Sequence, residues 1–73
     1  MPLELAAILT PREQQVVQLV AAGFSNAEIA ARLGLRIQTV KNRLCEIYLK
    51  TATRNRTALA LLATGNRRNK STR

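Results

Sequence analysis

The chain has no histidine, aspartate or tryptophan, one cysteine, and only two aromatic residues in a length of 73. Without His or Asp, acid–base and metal chemistry would fall to four glutamates and one thiol, a poor set for either. No catalytic residue, metal ligand or cofactor is therefore expected, and the composition speaks against an enzyme. A single Cys cannot close a disulfide within the chain, so nothing points to a secreted, cross-linked scaffold. Long apolar runs are missing too. The longest, Ala58 to Ala63, has six residues, whereas a bilayer span needs about 20. The opening Met1-Pro2-Leu3-Glu4 has no basic stretch of the signal-peptide kind. The class that remains is a soluble, cytoplasmic binding module.

What is present is small, aliphatic and basic. Hydrophobic residues make up 47% of the chain and eleven of them are alanine, a composition suited to close-packed helices. At this length about 60% of the unfolded chain's surface is buried on folding, which leaves room for one core. Twelve Lys and Arg against four Glu give a net charge of +8. The charge is also uneven: beyond Glu46 the chain carries seven basic residues and no acidic one. That asymmetry suits a polyanion, nucleic acid first and an anionic membrane second.

The helix signals come in order. Residues 1–8 are an apolar lead-in that reads as a linker or an N-terminal arm. Thr10-Pro11-Arg12-Glu13 then combines a capping hydroxyl, a proline suited to the first turn and a glutamate that can reach back. Val16, Val17, Leu19 and Val20 follow at helical spacing, giving a helix over 11–22 that ends at Gly23. Ser25-Asn26-Ala27-Glu28 repeats the start signal fifteen residues later. Ile29, Ala30 and Leu33 face inward, and Gly34 stops this short helix. A third helix, over about 37–50, has apolar positions at Ile37, Val40, Leu44, Ile47 and Tyr48. Its other face carries Gln38, Lys41, Asn42, Cys45 and Leu49, flanked by Thr39, Arg43 and Lys50. A fourth helix runs over 55–63, with Asn55 as its cap, and residues 65–73 read as a disordered basic tail.

A short helix, a tight glycine turn and a longer helix with a polar outer face form the helix-turn-helix pattern, here over about 26–45. Ala30 is small enough to let the two helices approach closely. Val40 and Leu44 can pin the longer one while its outer face enters a major groove about 12 Å wide.

The segments Leu9-Thr10-Pro11-Arg12-Glu13, Gly23-Phe24-Ser25-Asn26-Ala27-Glu28-Ile29-Ala30, Thr39-Val40-Lys41-Asn42-Arg43-Leu44, Ile47-Tyr48 and Arg54-Asn55-Arg56-Thr57 resemble the LuxR/GerE-type DNA-binding domain. The resemblance covers about residues 9–63 and implies an all-α, four-helix domain, bounded at 9–64, of a bacterial transcription regulator. It also implies response-regulator-like proteins, in which a receiver or ligand-binding domain precedes this one. Carried over by position, base contacts fall on Lys41, Asn42 and Cys45, with Gln38 on the same face. Phosphate contacts fall on Ser25, Thr39, Arg43, Lys50, Arg54 and Arg56. The implied partners are double-stranded DNA, a second copy of the chain and RNA polymerase, with no membrane and no small-molecule ligand in this domain.

Three features depart from the family pattern. Arg36 stands where a capping Ser is usual, Leu49 replaces a usual basic residue, and Thr51-Ala52-Thr53 replaces a Leu-Gly-Val turn. The fourth helix is apolar all round. Leu59 and Leu62 suit the core and Leu61, with Ala58 or Ala60, is left for a partner; a dimer contact is expected at Ala58, Leu61 and Leu62. Two other readings use the same pattern. One is a protein-interaction module that keeps the helix-turn-helix as scaffold; the other is a sigma-factor-like promoter-binding domain, which Tyr48 and the Arg54–Thr57 segment fit less well. A basic membrane binder is disfavoured by the single Phe.

Overall fold

Start and stop signals decide where the helices lie. In a computed structural model that describes residues 2–65, they delimit α1 (Leu3–Ile8), α2 (Pro11–Ala21), α3 (Asn26–Leu33), α4 (Ile37–Thr51) and α5 (Arg56–Thr64). No strand occurs among the described residues. The basic tail expected beyond Gly65 lies outside them.

Both anticipated capping boxes form. The Thr10 amide donates to Glu13 Oε1 at 2.9 Å while the Glu13 amide donates to Thr10 Oγ1 at 3.2 Å. The Ser25 amide donates to Glu28 Oε1 at 2.8 Å and the Glu28 amide to Ser25 Oγ at 3.2 Å. Each pair satisfies donors that the first helical turn leaves without intrahelical partners. At the other end of α3, Gly34 turns left-handed at φ 69°, and the Leu35 amide reaches back to the Ala30 carbonyl at 2.9 Å. That closes the helix and starts the turn to α4.

The amphipathic spacing then builds one core. Val16 and Val17 from α2, Ile29 from α3, Val40 and Ile47 from α4 and Leu59 from α5 are fully enclosed. Burying each such side chain contributes about 1.5–3 kcal/mol. The chief pairings are α2 with α5 and α3 with α4, so the helix-turn-helix pair rests on a scaffold made by the other two. Ala30 is buried where α3 meets that core. Ile37 departs from its expected inward position: it begins α4 beyond the packed layer and stays exposed.

The lead-in is a helix, not an arm. Leu5 and Leu9 are buried and one turn apart, and the Gln14 side-chain amide donates to the carbonyls of Ala6 (3.3 Å) and Leu9 (3.0 Å). This fifth helix lacks the capping side chain that opens α2, α3 and α5: Pro2 precedes it without one. Its six residues span less than two turns, too few to display a helical period.

Candidate nucleic-acid interface

The buried Val40, Leu44 and Ile47 fix the rotation of α4 about its axis. Residues spaced by three and four from one another on the opposite side are thereby turned outward. Gln38, Lys41, Asn42, Cys45 and Leu49 are all exposed, as the sequence spacing requires. Gln38 Nε2 donates to Asn42 Oδ1 at 3.0 Å, so two of the expected base-contacting side chains are joined into one unit. Asn42 keeps its amide hydrogens and Gln38 its carbonyl oxygen for an outside partner. Glu46, which the sequence reading left without a role, is exposed one turn beyond Asn42. It sets a negative charge at the edge of the stripe.

The start of α4 bears no side-chain cap. Arg36 occupies the cap position: its carbonyl accepts from the Val40 amide at 3.1 Å, but its guanidinium is a donor only, so the leading amides of α4 have no side-chain acceptor. At its other end Ala52 is held left-handed at φ 56°. The Thr53 amide donates to the Tyr48 carbonyl (3.1 Å), and the Thr51 hydroxyl bonds both the Ile47 carbonyl (2.8 Å) and the Thr53 hydroxyl (2.9 Å). The unusual turn thus closes through its two threonines.

The expected phosphate-contacting residues divide into two sets. Arg54 is exposed and has no ion-pair partner among the described residues. Ser25 is exposed, with its oxygen accepting the cap bond. Thr39 and Arg43 are half-buried at the side of α4, and Arg43 Nε is shut off from solvent without an acceptor among the described residues. Lys50 and Arg56 are engaged internally. Lys50 Nζ lies 2.9 and 3.1 Å from the two carboxylate oxygens of Glu13, a residue only 4% exposed. The Thr10 amide and the Lys50 ammonium hold the Glu13 carboxyl below the usual carboxylate range, against the upward push of burial. Arg56 donates to the Asn26 side chain at 2.6 Å and to the Phe24 carbonyl, fastening α5 to the entrance of α3. Each of these two residues therefore has a structural partner that the sequence spacing did not indicate.

Two further cations serve the scaffold. Arg12 donates to the Leu33 carbonyl at 3.4 Å, and the Arg32 guanidinium sits 4.2 Å from the centre of the Phe24 ring. Their partners lie across the fold or around a loop, so composition alone shows only that they are basic.

On α5, Leu59 and Ala63 are buried against the core, and Leu61 is 46% exposed. Ala58 and Leu62 are half-buried. Leu62 packs on the core and lines a groove with Pro2, Leu5 and Ile8 beside α1, so of the three expected dimer residues it is engaged internally while Leu61 is the most exposed. Among the described residues no His, Cys, Asp and Glu side chains gather into a metal-binding group, and no helix is long and apolar enough to cross a membrane.

A transcriptional regulator named ycf29, described as probable, from Cyanophora paradoxa is 44% identical over 57 residues, 78% of this chain and 27% of the relative. The monoamine regulon transcriptional regulator of Klebsiella aerogenes is 45% identical over 77% of the chain and 25% of its own length. The response regulator Rre1 of Synechocystis is 43% identical over 74% of the chain and 23% of its own length. The chain thus spans about a quarter of these relatives. No solved structure gives a significant match. The model of bacterial regulatory proteins of the luxR family matches residues 7–63, which takes in α2 to α5 almost entirely, and the chain belongs to that family.

Proposed function

We propose that this chain is a sequence-specific DNA-binding effector domain of a cytoplasmic transcription regulator, with no catalytic role. Its α4 occupies the major groove. The observation that carries the reading is the outward stripe of α4, where hydrogen-bonding side chains stand exposed on a helix whose other side is locked into the core. Lys41 suits the acceptors of guanine, and the Gln38–Asn42 unit suits adenine, which offers one donor and one acceptor. Cys45 presents an apolar edge. Around the stripe, Arg54, Arg43, Thr39 and Ser25 suit phosphate oxygens, which set position without reading sequence. Leu61 on α5 supports a symmetric dimer, RNA polymerase being the further partner of such a regulator.

Selection from a random duplex library at near-physiological salt tests the reading. The expected outcome is an inverted repeat with half-sites no more than about one DNA turn apart. On that site, Lys41→Ala relaxes preference at one base position. Arg43→Ala instead weakens all duplexes alike and flattens the salt dependence by about one unit of slope. Equal loss of preference in both variants overturns the division of roles. Folded protein with no affinity for any duplex at low salt overturns the DNA reading and leaves the partner-docking one.

A further inference from the structure

The reading of α4 as the groove-entering helix leaves one of its outward residues without a task. Leu49 is 84% exposed, and it lies in line with Gln38, Asn42 and Cys45 at successive spacings of four, three and four residues. An aliphatic side chain so placed can neither pair with a phosphate nor hydrogen-bond to a base. Of the groups that line a major groove, one is apolar: the C5-methyl of thymine. We propose that Leu49 is a specificity-determining residue that packs on a thymine methyl, beside the apolar edge offered by Cys45 one turn earlier. The two residues are about 6 Å apart along the helix, a span that reaches the same or neighbouring base pairs.

The surroundings of Leu49 favour DNA over a protein partner as what covers it. A protein interface needs a contiguous apolar patch of a few hundred Å². The neighbours of Leu49 on its own face of α4 are Cys45 and Glu46, of which only the small Cys45 is apolar, and the helix ends two residues beyond at Thr51. The other large exposed apolar residue of α4, Ile37, is about 18 Å away along the axis and on another side. A leucine beside a small thiol, at the end of a row that begins with the Gln38 and Asn42 amides, matches a base-pair edge, where a methyl sits next to donors and acceptors.

Because the inference rests on the DNA reading, its test begins with a duplex the full chain has selected. Each thymine of that site is replaced in turn by deoxyuridine, which removes the methyl and nothing else. At one or two positions the affinity of the unaltered chain falls about fourfold, the worth of one buried methyl-sized group. With Leu49→Ala the same replacements have no effect, while those at other thymines act as before. Leu49→Arg also loses methyl dependence and steepens the salt slope by about one. Since Leu49 makes no core contact, the thermal unfolding of both variants should match that of the parent. If methyl dependence is absent, or persists undiminished in Leu49→Ala, the inference falls while the DNA reading stands. If the chain selects no duplex at all, both fall.

Discussion

Residues of one type hold different offices here, and burial of their partners is what separates them. Lys41 and Lys50 are nine positions apart on α4, yet Lys41 faces solvent and Lys50 neutralises the enclosed Glu13. Removing Lys50 would strand a carboxylate that keeps only the Thr10 amide and hydroxyl as near partners. Breaking a fully buried pair costs about 3–5 kcal/mol, and an exposed pair about 0–1. The Lys50 side chain is 41% exposed, so Lys50→Met should cost about 1–2 kcal/mol of stability. Urea unfolding would measure that loss. Affinity for duplex DNA against salt gives the complementary reading. Lys50→Met should leave the slope nearly unchanged, whereas Arg54→Ala should flatten it by about one. A flattened slope with unaltered stability in Lys50→Met would assign this lysine to a phosphate instead.

At the scale of elements, local chemistry made most helix boundaries readable. A capping box lies within four residues, and a glycine stop within one, so Thr10–Glu13, Ser25–Glu28 and Gly34 could be placed from the sequence alone. The stripe on α4 was legible for the same reason, since its spacing of three and four follows from the helix itself. Contacts between distant residues were not. The Lys50–Glu13 pair spans 37 residues and the Arg56–Phe24 bond 32, and nothing in the pattern of either segment announces the other. Helix α1 escaped because two leucines on six residues fit an arm as well as a helix. The two weak boundaries of α4 carry a prediction. Arg36→Ser should supply the missing cap and add about 1 kcal/mol. Ala52→Gly should relieve the left-handed strain of about 1–2 kcal/mol, less the 0.4–1 kcal/mol that glycine's freedom returns to the unfolded chain. The sites are separated by a full helix, so the gains should add. In thermal unfolding each full kcal/mol should raise Tm by about 4–8 °C. No gain from Arg36→Ser would mean that the first amides of α4 already have partners in water that a hydroxyl cannot improve upon.

For the whole molecule, the scarcity of titratable groups shapes the response to pH. With no histidine, no side chain of ordinary pKa changes charge between pH 5 and about 8. Stability should therefore be flat across that range. The acid side is different. Glu13 and Glu28 both have lowered pKa values in the folded chain: Glu13 chiefly through the Thr10 amide, and Glu28 chiefly through the Ser25 amide. A carboxyl held low in the native state favours folding whenever it is ionised. That contribution is complete above the ordinary value of 4.5, and is lost as pH falls from there through the lowered native values. Protonation of the four glutamates also removes every negative side chain from a chain already at +8, adding self-repulsion to the loss of both caps. Unfolding free energy measured from pH 8 down to pH 2 should hold level and then drop below about pH 4.5. The Glu13→Gln and Glu28→Gln double variant should start lower at neutral pH and show a shallower acid decline, because its two caps no longer titrate. Added salt should recover part of the decline in both proteins by screening the repulsion. An equally steep acid transition in the double variant would place the pH dependence on net charge, leaving the capping carboxylates with no share in it.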